Sequence, residues 1–429
     1  MKYGLNDFPP RGAFLLYGLQ WWVVTLPCVV ITGVVTARLH YADLPAQVWY
    51  IRKLFVVMGG ATVIQVLFGH RLPLVIGPAT ALLVGIIASL SSGVDALYTA
   101  IFCGGALLAL AGFANLLAAV RRFFTARIVA VVLILIAFTL SPTILRLITT
   151  NAGSGGGAFT LCFALVMVFG LVLINEALKG AAKSLTVLIG LAGGGVAYCL
   201  FQGFPSLTDL SATGAADFSW FISPVFEPGT LLAFAFCFLA LTINEMGSVE
   251  AVGRMLQADA MDGRVRRGVG VTGLANMACG SLGVIGPVDF SLSAGLIAAT
   301  GCASRYTLLP AGLGLMACAL SPSFIMVLGA IPGPVMGALL LYLMATQLSS
   351  GLSMLVSSKG VTDFSTGLIV GLPLMLGLMI AFAPGTVFDA FPQMLRPVIG
   401  NGFVMGTLAV IVMEHVVFRN AGTERKEQV

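Results

Sequence analysis

Val75-Ile76-Gly77-Pro78 and Val284-Ile285-Gly286-Pro287 carry the same four residues, 209 positions apart in a chain of 429. That interval is close to half the length. Branched apolar residues open each copy (Leu74, Val75 and Ile76; Val284 and Ile285). Gly-Pro follows, then a short run that permits a helix. Glycine loosens the backbone and proline removes a donor, so both interrupt regular hydrogen bonding. In a bilayer core such a break survives only where protein or a water-filled cavity covers it. Two interrupted segments at corresponding places in two halves mark the binding site of a transporter. Residues of about 73–77 and 284–288 are therefore expected to be extended, to cross antiparallel near the membrane centre, and each to continue into a short helix.

The remaining composition fits a membrane setting. Apolar residues are 59% of the chain, charged residues 9%, and mean hydropathy is +1.03, which describes a polytopic membrane protein. The net charge of +5 sits in short basic clusters between apolar runs, so nucleic acid is not an expected partner. The eight cysteines lie in apolar stretches without a Cys-x-x-Cys pair, and neither disulfide, metal nor cofactor is expected. The apolar run from Ala13 is about 20 residues long and lacks a clear cleavage site, so it reads as a retained first span rather than a signal peptide.

At about 20 residues per crossing, fewer where broken, spans fall near 13–34, 54–69, 73–91, 95–119, 126–147, 157–177 and 183–201. A second set falls near 229–253, 268–283, 284–300, 305–321, 322–346, 363–385 and 395–418. The expected fold is an all-α polytopic membrane protein of 14 transmembrane segments in two inverted seven-span repeats, with short strand-helix segments at spans 3 and 10. Residues 202–228, with Pro205, Ser206, Asp209, Asp217, Pro224, Glu227 and Pro228, form the one long polar stretch, an inter-repeat loop. With both termini cytoplasmic, 17 Lys and Arg fall inside and 5 outside (Arg38, Arg52, Lys53, Arg146 and Arg396). This bias supports that orientation. The place for such a chain is the cytoplasmic membrane.

Ionisable residues within spans cost at least about 2.5 kcal/mol each, so those that persist are functional candidates. Glu245 ends an uncharged run from Gly229 to Asn244, well before the next cation, Arg254. Asp289 follows Gly286-Pro287-Val288 and reads equally as a helix N-cap or a site carboxylate. Glu176, Glu250 and the Glu414-His415 pair lie toward helix ends and read as interfacial. The half-helices expected near Ser291 and after Pro78 would aim unpaired N–H groups at the membrane centre. A carboxylate beside such donors offers what a small heterocyclic amide needs. Gly153-Ser154-Gly155-Gly156-Gly157 and Gly193-Gly194-Gly195 lack the lysine of a phosphate loop and read as close helix packing, so no enzyme is expected.

At these residues the chain resembles the nucleobase–ascorbate transporter family, which includes uracil, xanthine and uric acid permeases. Tyr3-Gly4-Leu5-Asn6-Asp7-Phe8-Pro9-Pro10 is similar to the family's N-terminal phrase. Gly18-Leu19-Gln20 is similar to its first-span Gly-Leu-Gln-His, with Trp21 in place of histidine. Glu245 matches the eighth-span glutamate that contacts substrate. The tenth-span signature, Gln/Glu/Pro-Asn-x-Gly-x4-Thr, reads Leu292 to Thr300 here, with Ser293 for the asparagine and Gly295 retained. Ile331-Pro332-Gly333-Pro334-Val335-Met336-Gly337 matches the opening of the twelfth span.

The resemblance implies a core domain (1–119, spans 1–4, and 229–321, spans 8–11) and a gate domain (120–201, spans 5–7, and 322–429, spans 12–14 and the tail). The gate would make the contact of a homodimer. It also implies secondary transport of a nucleobase or similar heterocycle with protons or sodium, by an elevator-type movement. Expected substrate contacts are Glu245, Asp289, Phe290, Ser291, Leu292, Ser293, Ala79, Thr80 and Val249, with Glu245 and Asp289 coupling the cation. Leu292 stands where a uracil permease has a second glutamate, Thr80 where an aromatic stacks on uracil, and Val249 where histidine or aspartate is usual. Uracil specificity therefore does not transfer directly. The alternative is a transporter of the same fold for a small anion, against which the carboxylate of Glu245 argues.

Overall fold

In the computed structural model the two Gly-Pro phrases lie side by side. The structure describes residues 1–114, 116–117, 123–149, 156–203, 219–290, 292–392 and 394–418. Ser291, Arg121, Arg122, Gly153 to Gly155, Pro205, Ser206, Asp209, Asp217, Arg419, Arg425 and Lys426 lie outside them.

The first half runs α1 (Arg11–His40), α2 (Leu44–Leu67), β1 (Val75–Pro78), α3 (Thr80–Ala88), α4 (Val94–Phe113), α5 (Ala126–Thr139), α6 (Ser141–Thr149), α7 (Gly156–Ala177) and α8 (Thr186–Gln202). The second runs α9 (Pro228–Met255), α10 (Met261–Leu282), β2 (Pro287–Phe290), α11 (Leu292–Thr300), α12 (Leu308–Cys318), α13 (Pro322–Gly329), α14 (Gly333–Ser357), α15 (Phe364–Phe382), α16 (Arg396–Ile399) and α17 (Gly402–Val412). Among the described residues, eight helical spans are long and apolar enough to cross a bilayer, nine if the bent α12–α13 pair counts as one. The chain is a multi-pass, mostly helical membrane protein.

β1 and β2 pair antiparallel, Val75 opposite Phe290 and Pro78 opposite Pro287. Each leads into a nine-residue helix, α3 or α11. The second strand starts three residues later than the repeated phrase suggests, at Pro287 rather than Val284. The reason is local. Val284 N–H closes the end of α10 by donating to Cys279 O at 2.9 Å, and Ile285 N–H donates to the Tyr50 hydroxyl at 3.0 Å. Both donors are spent before the ribbon begins. Position 287, not 284, is thus the counterpart of Val75. Asp289 is correspondingly a strand residue and not the N-cap of α11.

A two-stranded ribbon leaves backbone groups unpaired on its outer edges, which a dry site does not tolerate. Side chains fill several of these places. Ser293 Oγ accepts from Val75 N–H at 2.8 Å and donates to Phe290 O at 2.8 Å. Asn276 Nδ2 donates to Pro287 O at 3.0 Å, and Ser248 Oγ to Asp289 O at 2.9 Å. The two Gly-Pro glycines allow close approach. A methyl group on Gly77 would strike the Phe290 ring, and one on Gly286 the Asn276 amide.

Other boundaries move for physical reasons. The second span, expected from residue 54, begins at Leu44, so Arg52 and Lys53 lie inside α2. Lys53 is buried and gives its ammonium to Leu282 O at 2.5 Å, and Arg52 donates to Ala319 O at 2.9 Å. Each cation meets a carbonyl at a helix C-terminus, where positive charge is favoured. The ninth span starts at Met261 rather than 268. The twelfth, expected at 322–346, is α14 (Gly333–Ser357); α13 turns through 87° from the segment before it. Pro322, at the first position of α13 with Ser321 as its N-cap, marks that bend, and Pro332, the N-cap residue of α14, marks the separate start of the twelfth span. The last span, expected unbroken over 395–418, is interrupted at Asn401, whose side chain accepts from Phe403 and Val404 N–H.

Two packed groups result. α4 lies along α10, α12 against α1 and α2, and α9 against α3, α4, α10 and β2. α14 packs on α5, α6, α7 and α8, and α15 on α5 and α17. Small residues set the closest approaches, as at Gly59 against Gly312 and Gly377 against Gly402. That is how helices associate where lipid removes the hydrophobic drive.

Candidate functional site

α9 brings Glu245 to the strand crossing, and the side chain is wholly buried. Its Oε2 accepts from Asp289 N–H at 2.8 Å and its Oε1 from the Thr272 hydroxyl at 2.6 Å. Thr272 in turn accepts from Gln65 Nε2 at 2.7 Å. Gln65 Oε1 accepts from His70 N–H at 3.2 Å, and His70 Nε2 stands 3.2 Å from Asp289 Oδ2. The chain of contacts closes on itself: Glu245, Thr272, Gln65, His70 and Asp289, drawn from four separate elements and the α2–β1 link. The Asp289 backbone N–H held by Glu245 brings both buried carboxyl groups into the same site.

The other expected residues surround this cluster unevenly. Ala79, Val249 and Ser293 are buried, Thr80 and Phe290 partly so, and Leu292 is 42% exposed. Ser291 lies outside the described residues. Thr80, at the first turn of α3, donates its hydroxyl to Gln347 Oε1 of α14 at 3.4 Å, and Gln347 Nε2 reaches Leu133 O at 3.3 Å. The second helical group thereby touches the start of a half-helix. A cavity of about 640 Å³ lies between α9 and that group, lined by Met246, Gly247, Glu250 and Arg254 on one side and Ala126, Met354 and Ser357 on the other.

Sequence reasoning missed His70, Gln65, Thr272 and Gln347. His70 had a signal: it is one of only three histidines and precedes the first broken segment by a few residues. The uncharged residues had none. The three glutamates that read as interfacial meet cations near helix ends. Glu250 pairs with Arg254 at 2.9 Å, Glu414 with Arg127 at 2.5 Å and Glu176 with Lys183 at 3.6 Å. His415 Nε2 meets Phe123 O at 2.7 Å. In the α9–α10 loop, the hydrogen bond from Arg264 holds the Asp259 carboxyl below its ordinary value. The same guanidinium binds His70 O and Arg71 O, both at 3.1 Å. A depressed folded-state value means that the Asp259 contribution is present above the usual carboxylate range and lost as pH falls through the folded value.

Among the described residues no group of three or more histidine, cysteine or carboxylate side chains could hold a metal ion. A buried carboxyl pair beside two half-helix starts can accept N–H groups, exchange a proton or hold a cation.

Residues 12–386 match the profile of the Permease family of xanthine and uracil permeases. The chain is 25% identical to a putative purine permease of Clostridium perfringens, covering 96% of this chain and 92% of that one. It is 26% identical to the uric acid permease PucJ of Bacillus subtilis, covering 83% and 81% of the two chains. With the xanthine permease of the same organism it shares 26% identity over 86% of each. Among solved structures, the transmembrane domain of the cyanobacterial bicarbonate transporter BicA superposes with a TM-score of 0.62 at 16% identity, covering 88% of this chain and 98% of that one. SLC26A9 superposes at 0.60 and 14% identity, covering 96% of this chain and 66% of that one. These two likenesses concern the fold. The profile match spans most of the chain and its family consists of permeases, not enzymes: the protein belongs to the xanthine/uracil permease, or nucleobase–ascorbate transporter, family.

Proposed function

We propose that the protein is a secondary active transporter of a nucleobase, a purine such as xanthine or uric acid ahead of uracil, coupled to protons or sodium. The observation that carries this is the Glu245–Asp289 pair, buried where two half-helices begin. A heterocyclic amide presents ring N–H donors and carbonyl acceptors, which match carboxylates and helix N-termini respectively. The permease relatives support a nucleobase as the cargo. Leu292 and Thr80, in place of a glutamate and an aromatic, weigh against uracil.

Coupling follows from electrostatics. Two carboxylates buried in one dry site, joined through the Asp289 N–H, favour a state in which the pair holds one proton. We assign the coupling proton, or a sodium ion in its place, to this pair, and substrate contact to Glu245, Asp289, Ala79, Thr80, Val249, Phe290, Ser291, Leu292 and Ser293. Gln347 adds a contact from the opposite side.

The two packed groups support a division into core (1–119 and 229–321) and gate (120–201 and 322–429) with the loop 202–228 between the repeats. On this proposal there are 14 spans in two inverted repeats, the core moves past the gate as an elevator, and both termini face the cytoplasm from the inner membrane. The 640 Å³ cavity, at the Arg254 end of α9, would then be the cytoplasmic exit.

Thermal stabilisation of the purified protein tests the substrate class. Xanthine, uric acid or another base at 100 times its dissociation constant should add about 2.7 kcal/mol to stability, while sulfate and bicarbonate add nothing. Stabilisation by the anions alone would transfer the assignment to anion transport. The homodimer is proposed to form through α5–α8 and α14–α17. Their ionisable residues lie near helix ends, and apolar side chains such as Val166, Phe169 and Met379 are exposed. Cysteine crosslinks should join these faces between protomers; crosslinks through α1, α3, α9 or α11 instead would exclude this interface.

A further inference from the structure

His70 is fully buried, yet nothing in the proposed transport step uses it. Its surroundings define its chemical state. Leu72 N–H donates to Nδ1 at 2.9 Å, so Nδ1 is the unprotonated nitrogen. The proton of the neutral ring therefore sits on Nε2, which faces Asp289 Oδ2 at 3.2 Å. A second proton on Nδ1 would set donor against donor and break the Leu72 bond. At the other end of the contact, neither oxygen of Asp289 has a well-formed hydrogen bond, and nor does His70 Nε2. The 3.2 Å approach is off the N–H axis, a contact poised to straighten. Buried polar atoms of this kind carry a cost unless some state of the protein uses them.

The charged groups around the pair are few. Glu245 approaches from α9. From α10, Arg264 binds the carbonyls of His70 and Arg71, and Arg267 points at Gly69 O at 3.4 Å. Arg71 adjoins His70 in sequence. α2 contributes the uncharged Gln65, and the stretch of α1 between Arg11 and Arg38 is uncharged. The positive groups nearby thus hold the backbone on either side of the ring, while Nε2–H is the donor aimed at the carboxyl.

We propose that His70 is a positioning residue of the coupling site: a permanently neutral imidazole whose Nε2–H receives the Asp289 carboxylate when the shared proton moves to Glu245 or leaves. This rests on the transport reading above and adds to it the partition of the proton between the two carboxyl groups. The imidazole does not carry the coupling proton. It sets the pH at which Asp289 lets go of it.

The test uses the purified full-length protein and follows the carboxyl stretch by infrared difference spectroscopy across a pH series, with bands assigned by Asp289→Asn and Glu245→Gln. Gradient-driven uptake of xanthine is measured in parallel. His70→Leu keeps bulk and removes the donor. It should move the Asp289 titration and the uptake midpoint roughly one pH unit toward alkaline and weaken substrate binding about tenfold. His70→Gln retains a donor near the Nε2 position and an acceptor for Leu72. It should restore the wild-type midpoint, although glutamine cannot titrate. In an Asp289→Asn background, His70→Leu should leave the remaining midpoint unmoved. A wild-type Asp289 titration in His70→Leu overturns the proposal, as does loss of the titration or of accumulation in folded His70→Gln. If His70→Leu does not fold, the comparison of wild type with His70→Gln decides on the same criterion. If the wild type takes up no nucleobase, the transport reading fails, while the infrared titration still reports on the His70–Asp289 pair.

Discussion

Glu245→Gln abolishes gradient-driven accumulation while leaving equilibration of substrate across the membrane. The substitution preserves the volume of the side chain and one acceptor. The amide can accept from Asp289 N–H through oxygen and donate to Thr272 Oγ through nitrogen, replacing the 2.8 Å and 2.6 Å contacts of the carboxylate. It cannot exchange a proton with Asp289. The expected result in proteoliposomes is an internal-to-external ratio that falls to about one, with exchange of labelled for unlabelled substrate retained. Glu245→Ala is more severe. It strips the partner from Asp289 N–H and from the Thr272 hydroxyl, and an unsatisfied buried group costs about 1–3 kcal/mol. Binding should weaken by at least tenfold. Accumulation by Glu245→Gln equal to wild type would remove this residue from coupling.

Gly105→Val prevents the first helical group from assembling. At this point α4 meets the backbone of α10 and the Asn276 Cβ directly. A Cβ on Gly105 would lie 2.7 Å from Met277 N and 2.8 Å from Gly273 O, both backbone atoms with nowhere to go. Helix backbones must separate to admit it, which costs about 3 kcal/mol or more. α10 carries Thr272 and Asn276, so the separation also pulls the network away from β2. The expected outcome is loss of monodisperse protein in detergent, or a folded remnant that binds no substrate. Gly193→Ala is the control, because nothing lies within 4 Å of the added methyl. A stable, active Gly105→Val would mean that the α4–α10 contact is looser than described.

The sequence made the rare features legible. Glu245 and Asp289 stand out because charge in an apolar run is costly, and the Gly-Pro phrases because they break backbone pairing. Both strands, both half-helices and the carboxyl pair follow from these. The position of the second strand did not, because Tyr50, 235 residues away in sequence, takes the N–H of Ile285. Arg52 and Lys53 looked like the boundary of a span, although both donate to carbonyls of distant helix ends. Gln65, Thr272 and Asn276 are ordinary residues in isolation. Their role comes from three helices meeting, which no local pattern records. Leu292 is exposed and Ser293 buried within one turn, so the signature stretch by itself does not say which of its residues meet a ligand.

Uptake of labelled xanthine and uric acid by the wild-type protein in proteoliposomes, with an inward proton or sodium gradient imposed, tests the central claim most directly. The account predicts saturable purine accumulation above equilibrium that collapses with the gradient, is competed by unlabelled purines and is unaffected by sulfate or bicarbonate. Saturable uptake of sulfate or bicarbonate without any purine uptake would contradict it.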